Sequence, residues 1–190
     1  MTGVQTCALP ISEMQERMRR IVGQSEVPTV IDADGLTAFA AHAASLRGSE
    51  ERPVIITPHP GEMARLTGRE TAFVNANRVD VAREFATEHH VYVVLKGFRT
   101  IVATPHGSIY VNSTGNPGMA TAGTGDILTG MIAGILAQET ISETFVARLC
   151  LAVHLHGLCG DLAAEELGEE SMVATDLLRF LPKAFDELRG

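Results

Sequence analysis

Residues 115–130 read Gly-Asn-Pro-Gly-Met-Ala-Thr-Ala-Gly-Thr-Gly-Asp-Ile-Leu-Thr-Gly, a glycine-dense stretch that runs straight into an apolar segment from Ile127 to Leu136. Glycine lets a backbone turn sharply and approach a ligand with no Cβ in the way. A helix opening over Thr124 to Ile127, behind Gly123, would aim unpaired N–H groups and its positive dipole end at whatever lies above the turn. That arrangement attracts phosphate. Thr124 and Gly125 fall in its first turn. Asp126 is the odd member, because a carboxylate repels phosphate and so calls for a chemical task. Deprotonating a hydroxyl that attacks phosphorus is the direct one. The same aspartate also suits a helix N-cap. The run lacks the Gly-Lys-Ser/Thr ending of a Walker A loop and the G-x-G-x-x-G spacing of a dinucleotide fingerprint, which removes both of those readings.

Three further groups carry chemistry. Thr57-Pro58-His59-Pro60-Gly61-Glu62 sets a histidine between two prolines, which hold its backbone stiffly. His59 there suits hydrogen bonding to a substrate, with Glu62 in the first turn of a helix as a supporting residue. Lys96-Gly97-Phe98-Arg99-Thr100 follows the most apolar strand-like run, so Lys96 can reach a phosphate and Gly97 gives the backbone room to approach. Asp32 and Asp34 flank Ala33, and strand alternation would put both on one face. Such a pair suits Mg2+ held through water, or capping of the next helix. Asn116, in the glycine-dense stretch, is a supporting candidate like Asp34. His154 and His156 lack the i, i+4 spacing of a helical metal pair, and His154 reads as packed. No metal ligand is assigned. His89 and His90 are expected to face solvent. Asn77-Arg78, on the helix after Val74, are within reach of the site, but a solvated helix face is the favoured reading.

The elements that must position these groups alternate. Val27 to Asp32, Pro53 to Thr57 and Val91 to Leu95 read as short buried strands. Leu36 to Leu46, Glu62 to Leu66 and Val74 to Glu88 read as helices. Thr100 to Ala103 and Ser108 to Val111 form a hairpin around Pro105-His106-Gly107. From Thr124 onward the pattern is helical, with breaks near Gly168 and Pro182. Continuous apolar strands alternating with helices imply a largely parallel sheet covered on both faces. Ligands then bind beyond the carboxyl ends of the strands, where Asp32, His59 and Lys96 fall.

The 190 residues are 45% hydrophobic, enough for one sizeable core, and 15 basic against 23 acidic residues give a net charge of −8. That balance disfavours nucleic acid or an anionic membrane as partner. Cys7, Cys150 and Cys159 are odd in number and lack C-x-x-C spacing, which fits a reduced, cytoplasmic setting. Arg148, His154 and His156 interrupt the best candidate for a membrane span. Residues 1–12 lack the basic start of a signal peptide and read as a non-native leader, leaving 13–190 as the domain.

Taken together, Asp32-Ala-Asp-Gly-Leu36, Thr57-Pro-His-Pro-Gly-Glu62, Lys96-Gly-x-x-Thr100 and Gly115-Asn-x-Gly-Met-Ala-Thr-x-Gly-Thr-Gly-Asp126 resemble, in order and spacing, the ADP-dependent NAD(P)H-hydrate dehydratases of the ribokinase-like superfamily. The resemblance implies a three-layer α/β/α fold and repair of hydrated NADH and NADPH. ADP would donate the phosphoryl group, Mg2+ would assist, and AMP and phosphate would be released. It implies that His59 and Asp126 contact the hydrated nicotinamide nucleotide, while Lys96 to Thr100 and Gly125 hold AMP. Gly123 to Gly125 would stabilise the transferring charge. A homotetramer is implied as well. Family domains are longer at the N-terminus, so the chain is expected to be the C-terminal portion of one, without the preceding strands. Two other readings stay open: a small-molecule kinase of the same superfamily acting on a vitamin precursor or sugar, and a nucleotide-binding remnant without turnover.

Overall fold

A computed structural model describes residues 11–138 and 144–190. Cys7 and most of the 1–12 leader lie outside these residues, as does the stretch from 139 to 143 within the helical C-terminal region. The first helix, α1, spans Ile11–Gln24.

Five short strands follow in a single sheet: β1 (Thr29–Ile31), β2 (Val54–Ile56), β3 (Tyr92–Leu95), β4 (Ile101–Ala103) and β5 (Ile109–Val111). They lie in chain order, with β1, β2 and β3 parallel and β4 and β5 antiparallel. The sheet expected to be largely parallel is parallel over β1 to β3 and antiparallel over the hairpin strands. β4 and β5 form the expected hairpin, whose tight connection can only return antiparallel.

Strand alternation divides the core into two layers. Val54, Ile56, Val93 and Leu95 face α2 (Asp34–Thr37), α3 (Pro60–Thr67), α4 (Thr71–Ala76) and α5 (Arg78–His89), packing with Leu36, Phe39, Met63, Val74 and Phe85. Ile55, Val94 and Val102 face α6 (Thr124–Leu136), α7 (Phe145–Leu167) and α8 (Ala174–Arg189), packing with Ile132, Leu149, Leu155 and Leu177. Both faces of the sheet are thus covered, which explains why its central strands are continuously apolar. Each fully buried Ile, Leu or Phe contributes roughly 1.5–3 kcal/mol.

Four local readings need correction. The alanine-rich run after Leu36 forms only the short α2 and a 3-10 turn at Ala43–Ser45. The Phe39 and His42 amides bond three residues back, and burial of Leu36, Phe39 and Leu46 overrides helix propensity. The single helix expected over Val74 to Glu88 breaks at Asn77, whose side-chain Nδ2 donates to the Phe73 carbonyl at 2.9 Å. Pro182 lies inside α8 without ending it. It sits on the exposed side, so the carbonyl it leaves unpaired can bond to water. His89 is buried and stacks on Phe85 with ring centroids 4.1 Å apart.

α7 is 23 residues long and, by length and composition, apolar enough to cross a bilayer, despite Arg148, His154 and His156. It packs between α6 and α8, and its apolar residues complete the second core layer. Gly168 ends it, as the sequence indicates.

Candidate functional site

The principal groups the sequence singles out gather at the edge where β1, β2 and β3 end. Each strand delivers one group: Asp32 after β1, His59 after β2 and Lys96 after β3. Antiparallel β4 starts at this edge and β5 ends at it, which brings in Thr100 and Asn112. α6 packs across β1 and presents its N-terminus to the same place.

A cavity of about 360 Å³ lies here, lined by Lys96, Gly97, Phe98, Arg99 and Thr100 on one side. Asn116, Thr124 and Gly125 line it from the glycine-dense stretch, with Asn112, Thr114, His156 and Gly157 completing the wall. Gly123 adopts φ 93° as the N-cap of α6, a left-handed conformation that favours glycine. No side chain caps this helix. The Gly125 and Asp126 N–H groups of its first turn have no protein acceptor among the described residues and stay open to an anion, backed by the dipole. The Thr124 hydroxyl turns back to donate to the carbonyls of Met119 and Thr121, at 2.9 and 2.8 Å.

Asp126 is the third residue of α6, exposed, and has no side-chain hydrogen bond or ion pair among the described residues. It is adjacent in the chain to cavity-lining Gly125 and outside the cavity wall itself. His59 also lies outside that wall, as the N-cap of α3. Its Nδ1 accepts from the amides of Gly61 and Glu62, at 3.0 and 3.3 Å, while Glu62 Oε2 accepts from the His59 amide at 2.7 Å. This reciprocal box settles the tautomer. With Nδ1 accepting, the proton sits on Nε2, on a side chain that is half exposed.

Lys96 is the hub. Its Nζ lies 2.7 Å from Asp32 Oδ1 and 3.8 Å from Glu62 Oε2. Thr129 on α6 donates to the other Asp32 oxygen at 3.0 Å. Burial opposes ionisation of Asp32, but the Lys96 ammonium together with hydrogen bonds from Thr57 and the Ala33 amide outweighs it and holds the carboxyl below its ordinary range. A Cβ added at Gly125 would sit 3.3 Å from Lys96 Nζ, so glycine here lets the helix pass close over the ion pair.

Asp32 and Asp34 do not share a face. The strand stops at Ile31 and Ala33 takes φ 47°, so Asp34 opens α2 with an exposed side chain that bonds to nothing among the described residues. Asn116 Oδ1 accepts from the Gly118 amide at 3.0 Å, and its Nδ2 donates to Asp161 at 3.1 Å.

Two supporting residues, Asp161 and His156, escaped the sequence reading, and a third, Arg78, takes the less favoured of its two placements. Asp161 on α7 also accepts from the Gly115 amide at 2.8 Å and so fixes the floor of the cavity. His156, one α7 turn earlier, lies 2.9 Å through Nε2 from the Thr124 carbonyl. Burial pushes its pKa down to about 4, so it is neutral at pH 7 and donates that hydrogen bond. Arg78, expected on a solvated face, is half-buried beneath the 96–100 loop and donates to the carbonyls of Leu95, Lys96 and Phe98. The available signal was Gly157 within an apolar helix, since such a glycine marks close approach of another segment. Here that segment is Thr114.

Fold and site together define a three-layer α/β protein of the ribokinase-like class. A ribokinase-like superfamily protein from Enterococcus faecalis superposes with a TM-score of 0.75 and 29% identity, over 95% of this chain and 60% of that one. A family model described as NAD(P)H-hydrate dehydratase matches residues 9–183, and the chain belongs to that family. The ADP-dependent (S)-NAD(P)H-hydrate dehydratase of Bacillus subtilis is 36% identical over 177 residues, covering 93% of this chain and 61% of the relative. The crystal structure of the ADP/ATP-dependent enzyme from B. subtilis, co-crystallised with ATP/Mg2+, superposes with a TM-score of 0.80 over 94% of this chain and 61% of that one. The bifunctional NAD(P)H-hydrate repair enzyme of Moorella thermoacetica is 46% identical over 165 residues, 87% of this chain and 30% of the relative. The chain thus spans between 30% and 61% of the length of these relatives.

Proposed function

We propose that this chain carries the nucleotide-holding and proton-abstracting part of an ADP-dependent dehydratase that restores NADH and NADPH from their hydrated forms. One observation carries this reading. The Lys96–Thr100 loop and the uncapped start of α6 line a single cavity, with a carboxylate that has no partner among the described residues, Asp126, on the next residue. The relatives' names supply the substrate class.

The chemistry follows from the groups present. AMP, as part of ADP, would occupy the cavity against Lys96 to Thr100 and Gly125. The N–H groups behind Gly123 would stabilise charge on the transferring phosphoryl group. Asp126 takes the proton from the C6 hydroxyl of the hydrate as its oxygen bonds to the β-phosphorus, and the bond to AMP breaks. The C6–O bond then breaks as phosphate leaves and C5 gives up a proton, which yields the dihydropyridine. His59 would donate from Nε2 to the hydrated nicotinamide nucleotide, steadied by Glu62.

No group of three His, Cys, Asp or Glu side chains suited to a metal occurs among the described residues. Asp32 is committed to Lys96. Mg2+ fits best as an ion carried by the nucleotide, where it would neutralise phosphate charge. Cys150 and Cys159 are free thiols, in keeping with a reducing compartment such as the cytoplasm. Assembly into a homotetramer rests on the family resemblance, and light scattering would read it.

Incubating the protein with ADP and hydrated NADH tests the reading directly. Return of the reduced-nicotinamide absorbance with stoichiometric AMP supports it. A flat trace, with ATP consumed on a vitamin or sugar alcohol, would favour the kinase reading.

A further inference from the structure

Arg78 opens α5, and its guanidinium lies under the loop that lines the cavity. It donates to the carbonyls of Leu95 at 3.0 Å, of Lys96 at 3.3 Å, and of Phe98. A peptide unit is planar and trans, so its N–H points opposite to its C=O. Turning the carbonyls of Lys96 and Phe98 toward Arg78 therefore turns the amides of Gly97 and Arg99 away from it. Both residues line the cavity, and neither N–H has a protein acceptor among the described residues. The Lys96 amide, by contrast, is already taken by the Pro58 carbonyl at 2.8 Å.

The loop does not hold this shape unaided. Gly97 has φ 129° and Arg99 has φ 53°, the latter a left-handed conformation that costs a non-glycine residue free energy. Three carbonyls on one rigid fork offset that cost, a geometry that arginine supplies and lysine does not. Arg78 also has no carboxylate partner among the described residues, and its Nε is buried without an acceptor. Its charge is thus not cancelled locally and favours an anion beyond the loop.

We propose that Arg78 is a positioning residue of the nucleotide site: by gathering the loop carbonyls it presents the Gly97 and Arg99 N–H groups to a bound nucleoside phosphate. The inference rests on the nucleotide reading above and deepens it. AMP is the probe. In the wild-type protein, AMP should move the Gly97 and Arg99 amide proton resonances downfield, as donating a hydrogen bond to phosphate does. Arg78→Met should bind AMP about tenfold more weakly by calorimetry and lose both amide shifts. Arg78→Lys, which keeps the charge but not the fork, should recover only part of the affinity.

Unchanged AMP affinity in Arg78→Met, or full recovery in Arg78→Lys, overturns the proposal. So do Gly97 and Arg99 amides that AMP leaves unmoved in the wild-type protein, an outcome readable even where a variant does not fold. Failure of the wild-type protein to bind AMP at all would remove the nucleotide reading and this inference together. Normal AMP binding that is indifferent to Arg78 would remove this inference alone.

Discussion

Lys96 Nζ stands 2.7 Å from Asp32 Oδ1, tying the segment after β3 to the segment after β1 across the end of β2. Both side chains are largely buried, at 20% and 10% relative exposure, so the pair is weakly screened by solvent. Glu62 lies 3.8 Å from the same ammonium and also caps the helix that His59 begins. A single lysine thereby links the elements assigned to the nucleotide with those assigned to the hydrated substrate.

Replacing Asp32 by Asn leaves Lys96 only the longer contact to Glu62 in a partly buried site, and about 2 kcal/mol of stability should be lost at pH 7. The pH dependence follows from the direction of the shift. The Asp32 pKa in the folded protein is depressed, so its contribution is complete above the unfolded value near 3.8 and disappears as pH falls through the folded value. Urea unfolding of wild type and Asp32→Asn should therefore give stability curves that converge in acid. A gap that stays constant from pH 7 to pH 3 would show that the ion pair is not its source.

Asp126→Asn should lower turnover by roughly 10²–10⁴ while sparing AMP affinity, because the change removes a base and relieves repulsion of phosphate. Steady-state rates read beside calorimetry separate the two effects. Near-normal turnover would sink the role given to Asp126.

His156 is held neutral with a pKa of about 4 against an ordinary 6.5. Its stabilising effect is complete above pH 6.5 and is lost as pH falls toward 4, by at most about 3 kcal/mol. His156→Gln keeps a donor for the Thr124 carbonyl and does not titrate in this range. Its stability should accordingly be flatter between pH 6.5 and 4 than that of the wild type. Equal slopes in chemical denaturation across that window would count against the buried, neutral histidine.

The glycines divide sharply by what surrounds them. A Cβ at Gly157 would lie 2.2 Å from Thr114 Oγ1 and 2.7 Å from the Thr114 carbonyl carbon, so Gly157→Ala should cost about 1–3 kcal/mol and weaken AMP binding. Nothing lies within 4 Å of a Cβ at Gly130, in the middle of α6, so Gly130→Ala should stabilise by roughly 0.5–1 kcal/mol. Melting curves of the two variants should shift in opposite directions.

The sequence by itself determined the things that depend on local physics. Continuous β-branched runs marked β1, β2 and β3, because a strand covered on both faces has no polar alternation to keep. The glycine-dense turn before an apolar segment marked the start of α6, and the two prolines around His59 marked a fixed strand end. Motif order then carried the family. What only the tertiary structure decided was which side chains meet. Sequence spacing placed Asp32 beside Asp34, but the positive φ at Ala33 sends Asp32 to Lys96, 64 residues away, and leaves Asp34 in solvent. Arg78 and His89 looked like surface residues because helical periodicity shows which faces are apolar, not which loop carbonyl or aromatic ring waits opposite. Asp161 could not be read at all, since its partners Gly115 and Asn116 lie some 45 residues back in the chain. Contacts of that kind form only once α7 is packed against the loop, and packing is a property of the assembled layers that no single segment encodes.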